Sequence, residues 1–495
     1  MKITKITSKI LLLFIVVLLV VMIIPKKSNS VENKILTELQ EQVGNYDEQQ
    51  IVLKNTTKEE AKKIAERFNA KLRITKDGSF GTITLPEGLT ILDIVNNQDN
   101  QDILDKLSID YHASIADIEE VEKEYLPKEP IYSVNDKDYN KQTYLNYINI
   151  GNAWNYTSMG SNVTIAIIDT GIDTDHPEFI GRISEYSYNA TEDKIVKDYQ
   201  DLEGNFDYSL IEDEQGHGTA VAGVIAASMN NGEGITGIAP NVNIIVIKAE
   251  TDEKGVFKRT SDLVFGLYYA IERDVNVINM SFGTSENLFD APTRLAVDSD
   301  IICVAAAGND STPSLTYPAA CQNVIGVGAL ANESFALANY SNYGENTNIV
   351  APGTVYTTSN DGSYKVMNGT SFASPVVAAS ICLYLSNNMY QTFANVTERL
   401  YASTIDLGAL GEDFYYGYGA LDVNAFIVEE VGTITFNYLT DEIEETEQLF
   451  IRNHTLQNIP EPERLYSVFD GWYYDIDCTE EYNLYQDTFV TDLTL

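Results

Sequence analysis

Residues 163–171 read Val-Thr-Ile-Ala-Ile-Ile-Asp-Thr-Gly, an apolar run that ends at an aspartate and a glycine turn. A continuous apolar run, unlike one that alternates with polar residues, predicts a strand buried on both faces, as in a parallel sheet covered by helices. Similar runs recur between helical patterns at 244–247, 275–279, 301–306 and 324–327. Residues 131–429 are therefore predicted to form an α/β domain with a parallel sheet flanked by helices.

The composition describes an acidic globular chain. It has 495 residues, a formal net charge of −41 and 44% hydrophobic residues. This apolar fraction supports a large core and argues against global disorder, and the length indicates more than one domain. Because so acidic a chain repels phosphate backbones, nucleic acid is not expected as a partner. The acidity is typical of a well-solvated surface.

An export signal is predicted over residues 1–30. Lys2, Lys5 and Lys9 precede an apolar run over 10–24, which is short for a membrane span of about 20 residues but fits the apolar core of a signal peptide. The protein is therefore expected to be secreted. An uncleaved N-terminal segment that anchors it to a membrane is the alternative.

Residues 31–130 are predicted to form a small α+β unit. Strand-like runs over 50–54, 70–74 and 81–85 accompany a helical pattern over 57–69, which is an order typical of such units. The stretch from Leu126 to Asp138 contains prolines and charged residues and is typical of an exposed linker. At the other end of the chain, residues 430–495 are strand-like and aromatic, and they predict a small β-rich domain.

The four cysteines, Cys303, Cys321, Cys382 and Cys478, match no zinc-ligand spacing. Export permits disulfides, and a bond between Cys303 and Cys321 is one hypothesis. The other hypothesis is that the apolar surroundings of the first three indicate small buried thiols.

Polar side chains that could carry chemistry follow the predicted strands or begin predicted helices. Carboxyl ends of strands line the crevice of an open α/β sheet. Asp169 directly follows the run over 163–168, and Asn309 follows the run over 301–306. His217 and Ser371 each begin a helical pattern, inside Gly-His-Gly-Thr and Gly-Thr-Ser-Phe-Ala-Ser-Pro.

Each of these residues also has an ordinary structural explanation. Aspartate before glycine forms turns, serine caps helices, and a histidine can be a satisfied structural residue. Taken together they favour catalysis, because a serine hydroxyl needs a general base and the base needs an orienting partner. The chain order Asp169, His217, Ser371 is also one of the known orders of such a triad.

The segments around these residues resemble the three active-site signatures of the subtilisin-like serine proteases, the subtilase family. The resemblance implies that Asp169 orients His217, that His217 takes the proton from Ser371, and that Ser371 attacks the scissile carbonyl of a peptide. It also implies that Asn309 and the Ser371 backbone N–H hold the oxyanion. Phe372 stands where the family usually has methionine, and both side chains are apolar.

The same resemblance implies where a substrate lies. Ser281, Phe282 and Gly283 are similar to the family's substrate-binding strand, which pairs with the substrate backbone. Ala306, Ala307 and Gly308 are expected to form a wall of the S1 pocket, which receives the side chain before the scissile bond. The segment over 310–317, part of the rim of this pocket, is short, so substrate preference does not transfer from the family.

A structural calcium site is a further implication, with Gln142, Glu178 and Asn231 as ligands. Side-chain and loop oxygens are what calcium requires. Glu178 stands where aspartate is usual, and the competing interpretation is a polar turn after a helix. No cofactor is expected for catalysis.

The flanking segments carry weaker resemblances. Residues 31–130 are similar to the family's prosegment, an inhibitor and folding aid that is removed by self-cleavage, and the cut is expected between Lys128 and Asn135. The tail resembles an internalin-type B-repeat at 459–464 and 469–475, which implies a cell-wall or cell-surface partner.

The sequence thus predicts a secreted serine endopeptidase that acts on polypeptide substrates and on its own prosegment. One alternative is a dedicated maturation peptidase that removes leaders from secreted peptides. The other is a pseudoprotease that only binds, against which the complete set of catalytic side chains argues.

Overall fold

The computed structural model describes residues 46–100, 102–111, 113–115, 134–252, 254–331, 334–428, 431–436, 446–451 and 493–494. The predicted export signal and most of the predicted linker lie outside these residues. The chain divides into two compact units, Met1–Asp110 and Tyr111–Leu495. Of the helices in the part described, none is long and apolar enough to cross a membrane.

The first unit has the strand–helix–strand order that its sequence predicts. Its elements are β1 (Tyr46–Leu53), α1 (Lys58–Arg67), β2 (Lys71–Ile74), β3 (Gly81–Thr84), α2 (Ile91–Val95) and β4 (Leu107–Tyr111). The four strands form one sheet in the order β2-β3-β1-β4. Helix α1 begins where Thr57 and Glu60 form a capping box, which satisfies backbone donors of its first turn.

The second unit begins with a short strand, β5 (Ala113–Ile115). The next elements along the chain are α3 (Tyr144–Tyr147), α4 (Ile150–Ala153), β6 (Thr164–Asp169), β7 (Tyr188–Asn189), β8 (Lys194–Ile195), α5 (His217–Ala226), β9 (Asn243–Lys248), β10 (Val256–Phe257) and α6 (Thr260–Glu272). The following elements are β11 (Val277–Met280), β12 (Phe282–Gly283), α7 (Asp290–Asp298), β13 (Ile302–Ala306), β14 (Ile325–Leu330), β15 (Ile349–Pro352), β16 (Thr354–Thr358), β17 (Tyr364–Asn368), α8 (Thr370–Leu385), α9 (Phe393–Ala402) and α10 (Val423–Ile427).

The main sheet has eight strands in the order β15-β14-β13-β11-β6-β9-β7-β8. The pairs from β15 to β7 are parallel, and β8 is antiparallel to β7 at the edge. The central strands β6, β11 and β13 are buried along almost their whole length, which explains why their sequences are continuous apolar runs. The predicted α/β fold with a parallel sheet flanked by helices is confirmed, with one antiparallel edge strand.

Helix α8 crosses the centre of this unit. It packs against β11, β13, β14 and α5, and nearly all of its residues are buried. A helix that is apolar around its whole circumference belongs in the core. Its first turn is thereby fixed in position, which matters because Ser371 lies in that turn.

The described part of the C-terminal region is a small sheet. Strands β18 (Val431–Phe436), β19 (Thr446–Ile451) and β20 (Leu493–Thr494) have the order β19-β18-β20. The segments over 459–464 and 469–475, which carry the resemblance to an internalin-type B-repeat, lie outside the residues that the structure describes.

The cysteines of the α/β unit are buried free thiols. Cys303, Cys321 and Cys382 are all free in the structure, so the hypothesis of a disulfide between the first two is not borne out. Burial raises the pKa of the Cys303 thiol to about 12, which keeps it protonated and unreactive at neutral pH. Cys478 lies outside the described residues.

Candidate active site

Asp169 and His217 form a buried hydrogen-bonded pair. Asp169 is the last residue of β6, and His217 is the first residue of α5. His217 Nδ1 lies 2.7 Å from Asp169 Oδ1, and Oδ1 also accepts the Thr170 N–H at 2.8 Å. Burial raises the pKa of the Asp169 carboxyl, while the neighbouring His217 opposes that rise. The carboxylate can thus hold the imidazole with Nδ1 as the donor.

Two glycines, one on each side of His217, shape the start of helix α5. A Cβ atom on Gly218 would lie 2.3 Å from the Gly171 carbonyl oxygen and 3.1 Å from Asp169 Cβ. Gly216, just before the helix, has φ of 96°, in the left-handed region that favours glycine. Gly218 is therefore required by the approach of the helix to the strand, and Gly216 by the backbone conformation just before the helix.

Asp213 fixes the start of α5, and its role was not predicted from the sequence. Its Oδ1 accepts the Thr170 hydroxyl and the Gly216 N–H, both at 2.8 Å. Its Oδ2 accepts the Thr219 N–H at 2.9 Å and the Thr219 hydroxyl at 2.7 Å. A carboxylate at this position accepts hydrogen bonds from N–H groups at the helix N-terminus and interacts favourably with the positive end of the helix dipole. Asp213 therefore fixes the first turn of α5, which begins with His217.

Ser371 lies in the first turn of α8, beside this pair. Its hydroxyl donates to the Ser281 carbonyl oxygen at 3.1 Å, and the Ser281 hydroxyl donates to the Ser371 carbonyl oxygen at 2.8 Å. The ring of the next residue, Phe372, lies 5.5 Å from the His217 ring between centroids. The structure thus brings Asp169, His217 and Ser371, predicted from three separate segments, to one place.

Asn309 is anchored to the same helix start through Thr370. The Asn309 side-chain oxygen accepts the Thr370 N–H at 3.0 Å and the Thr370 hydroxyl at 2.9 Å. The Thr370 hydroxyl in turn accepts the Gly308 N–H at 3.1 Å. These bonds fix the orientation of the Asn309 amide next to the predicted nucleophile. The role of Thr370 was not predicted, because its place in the signature around Ser371 does not show which side chain it contacts.

The predicted substrate-binding strand already pairs with an extended segment of the chain. Strand β12 pairs antiparallel with β5, with Phe282 opposite Ile115 and Gly283 opposite Ser114. The other edge of β5 pairs antiparallel with β10. An extended segment between two strands is the arrangement of a peptide bound by β-augmentation. The segment over 281–283 is therefore able to pair with a backbone in the way its sequence suggested.

Thr316 lies between this strand and the predicted S1 wall over 306–308. A Cβ atom on Gly283 would lie 2.3 Å from Thr316 Oγ1, and one on Gly308 would lie 3.2 Å from Thr316 Cγ2. The Thr316 N–H donates to the Ala307 carbonyl oxygen at 3.1 Å. Its side chain therefore occupies space between the two predicted walls, a contact that sequence reasoning missed.

Thr316→Gly is expected to shift substrate preference toward large side chains before the scissile bond. Removing the side chain opens space between the strand and the S1 wall. A difference of one or two methylenes between a pocket and a substrate side chain changes kcat/KM by about tenfold or more. The measurement is the ratio of kcat/KM for peptides that differ only in Phe or Ala at that position. Thr312→Gly, on the exposed part of the same loop, is the control. An unchanged ratio in Thr316→Gly would contradict this placement of Thr316.

The likeness to known proteins agrees with this geometry. The sequence model of the subtilase family matches residues 160–419, which is more than half of the 495 residues. This chain belongs to the subtilase family. The matched range includes Asp169, His217, Asn309 and Ser371. This subtilase is accordingly a serine endopeptidase.

Individual relatives support the same assignment. The subtilase is 34% identical to Subtilisin NAT from Bacillus subtilis subsp. natto over 331 residues, which cover 63% of this chain and 80% of that protein. It is 34% identical to Minor extracellular protease Epr from Bacillus subtilis (strain 168) over 291 residues, 58% of this chain and 41% of Epr. Fervidolysin from Fervidobacterium pennivorans has a similar fold, with a TM-score of 0.65 at 22% identity over 80% of this chain and 64% of its own.

The three predicted calcium ligands of this subtilase lie around one loop, but their arrangement does not fit a cation. Gln142 Oε1 accepts the Thr236 N–H, and both carboxylate oxygens of Glu178 accept protein donors. Asn231 turns its NH2 group, not its oxygen, toward Glu178, at 2.8 Å. A calcium ion needs oxygens that face it. The calcium site stays a prediction, and the direction of these donors counts against it.

Proposed function

We propose that this subtilase is a secreted endopeptidase that cleaves polypeptides through Asp169, His217 and Ser371. The observation that carries the proposal is the 2.7 Å contact between His217 Nδ1 and Asp169 Oδ1, at the carboxyl end of β6 and beside the helix start that holds Ser371. A buried carboxylate, an imidazole and a serine in this arrangement are the parts of an acyl-transfer site.

The chemistry proceeds by proton transfer through His217. Its Nε2 takes the proton of the Ser371 hydroxyl while Oγ forms a bond to the scissile carbonyl carbon. Asp169 stabilises the imidazolium that results. The imidazolium then gives its proton to the leaving nitrogen, the C–N bond breaks, and an acyl-enzyme remains. Water hydrolyses the ester by the same steps, with His217 again as the base.

Negative charge develops on the carbonyl oxygen in each step. The N–H groups at the start of α8 and the positive end of its dipole face that region. Asn309, oriented by Thr370, supplies a side-chain donor. Donors fixed before the reaction stabilise the oxyanion without reorganisation, which is why they accelerate the reaction.

Labelling with a fluorophosphonate tests the proposed nucleophile. The mature enzyme is expected to form one covalent adduct, found by mass spectrometry on the peptide that contains Ser371. His217→Ala is expected to slow labelling strongly, because an unactivated hydroxyl is a weak nucleophile. An adduct on another serine, or undiminished labelling of His217→Ala, would count against this triad. Failure of the parent enzyme to degrade casein would favour the pseudoprotease alternative.

Removal of an N-terminal prosegment is part of the proposal. The pairing of β5 with β10 and β12 supports it, because this segment occupies strands that a substrate would use. A peptide bound in that register would continue toward Ser281, whose carbonyl lies 3.1 Å from Ser371 Oγ. We therefore propose that self-cleavage occurs C-terminal to β5, within the predicted linker.

Secretion and a surface-binding tail complete the proposal. The predicted export signal supports secretion, and so does the likeness to a relative named as extracellular. The small sheet of β18, β19 and β20 supports a separate β-rich module, for which the resemblance to an internalin-type B-repeat suggests the cell wall or cell surface as a partner. The dedicated leader peptidase remains the alternative, and a cleavage profile on proteome-derived peptides distinguishes it from a broad protease.

A further inference from the structure

The loop over 228–236, which follows α5, is held by side-chain oxygens that accept its backbone N–H groups. Ile235 N donates to Glu178 Oε1 at 3.0 Å, and Thr236 N donates to Gln142 Oε1 at 2.9 Å. On the N-terminal side, Asp136 accepts the N–H groups of Asn230 and Gly232 at 2.8 and 3.2 Å. Side-chain oxygens around this loop are thus engaged by backbone N–H groups, whereas a cation site requires oxygens that face the ion.

Glu178 receives two further donors from side chains. The Tyr364 hydroxyl donates to Oε1 at 2.9 Å, and Asn231 Nδ2 donates to Oε2 at 2.8 Å. The Asn231 oxygen is itself engaged, because it accepts the Glu233 N–H at 2.8 Å. The carboxylate is completely buried, so these donors supply the hydrogen bonds that a buried charge requires.

Gly234 allows Tyr364 to reach the carboxylate. A Cβ atom at this position would lie 1.9 Å from Tyr364 Cζ, and the glycine has φ of 26°. The Tyr364 ring thus lies directly on the loop backbone, with its hydroxyl on Glu178. The loop, the turn that carries Glu178 and the strand β17 that carries Tyr364 meet at this one carboxylate.

We infer that the Glu178 carboxylate itself holds this loop closed, in the role that a bound cation would otherwise have. The extra methylene of glutamate, compared with aspartate, extends the carboxylate to Ile235 N–H and the Tyr364 hydroxyl. A cation would face amide donors here and would have to displace at least Asn231. The inference concerns the stability of the fold and is independent of the proposed triad.

The test is thermal unfolding of the full chain, with Ser371→Ala as background so that self-digestion does not interfere. Melting temperatures are measured in EDTA and in millimolar CaCl2, for this background and for the double variant that also carries Glu178→Gln. Calcium bound only to the folded state raises the melting temperature by mass action. We expect calcium to change the melting temperature of both proteins by the same amount. That amount is zero, or the contribution of acidic sites elsewhere in the chain. A calcium-dependent rise in the background that Glu178→Gln abolishes would overturn the inference.

The contribution of the Glu178 carboxylate to the stability of the fold is tested by Glu178→Ala and by the milder Tyr364→Phe. Glu178→Ala leaves buried donors without their acceptor, and Tyr364→Phe removes one donor from the buried carboxylate, so each is expected to lower the melting temperature in EDTA, Glu178→Ala by about 5 °C or more. Glu233→Gln, an exposed glutamate of the same loop, is the control and should change it by about 1 °C or less. If Glu178→Ala fails to fold, Tyr364→Phe alone decides. Melting temperatures equal to the background in Tyr364→Phe and in any folded Glu178→Ala would overturn the inference.

Discussion

Ser371→Ala is expected to abolish proteolysis and self-processing together. The substitution removes one oxygen from a residue in the first turn of a fully packed helix, so the domain should still fold. Without the hydroxyl there is no acyl-enzyme, and in subtilisin itself loss of the nucleophile lowers kcat by about 10⁶-fold. The variant should therefore accumulate as an uncut precursor, whereas the parent gives a shorter mature band on a gel.

The position of the cut is part of the same result. N-terminal sequencing of the mature band is expected to give a start after Leu126 and before Tyr144, with the window from Lys128 to Asn135 preferred. A tethered segment meets the site at high effective concentration, so the reaction should not slow on dilution.

Ser380→Ala is the matched control for this experiment. Ser380 is another buried serine of α8, and its hydroxyl donates to the Val376 carbonyl oxygen within the helix. This control should mature normally, because it leaves the site intact. If purified Ser371→Ala, free of other proteases, still shortened on the parent's schedule, self-cleavage by this triad would be ruled out.

The sheet and the pairing of Asp169 with His217 could be predicted because each depends on a local pattern. The run over 163–168 is apolar from Ile165 to Ile168 because β6 is buried on both faces there, and a strand of that kind places the next residue, Asp169, at the edge where sites form. The glycines around His217 are visible in the sequence for local reasons too: the close approach of α5 to β6 requires Gly218, and a left-handed backbone favours glycine at position 216.

Contacts between distant segments could not be predicted in this way. Thr370 and Asn309 are separated by 61 positions, and Thr316 contacts Gly283 and Gly308 only because the fold brings two loops together. Thr370 lies inside an active-site signature, but the signature does not show which side chain it binds, and Thr316 lies in what the sequence presents as an ordinary loop. The loop over 228–236, which Glu178 holds, shows a further limit of prediction from sequence. The resemblance to the family implied calcium there, but the direction in which amides and carbonyls face depends on backbone geometry.

Asn309→Leu is expected to lower kcat by about 10²–10³-fold with little change in KM, a magnitude taken from subtilisin itself. Leucine has nearly the same shape as asparagine but no N–H donor. The oxyanion forms only after attack by Ser371, so the lost interaction belongs to the transition state, and ground-state binding of the peptide is largely unaffected.

Thr370→Val separates the orientation of Asn309 from the presence of its donor. Valine removes the hydroxyl that donates to the Asn309 oxygen at 2.9 Å and keeps the backbone N–H that donates at 3.0 Å. The amide is then held by one bond instead of two, so kcat should fall less than in Asn309→Leu. Both variants are compared with the parent on one peptide substrate, after circular dichroism has shown that they are folded. If Asn309→Leu kept kcat within about threefold of the parent, Asn309 would not belong to the oxyanion hole, since one lost donor there costs about 3 kcal/mol.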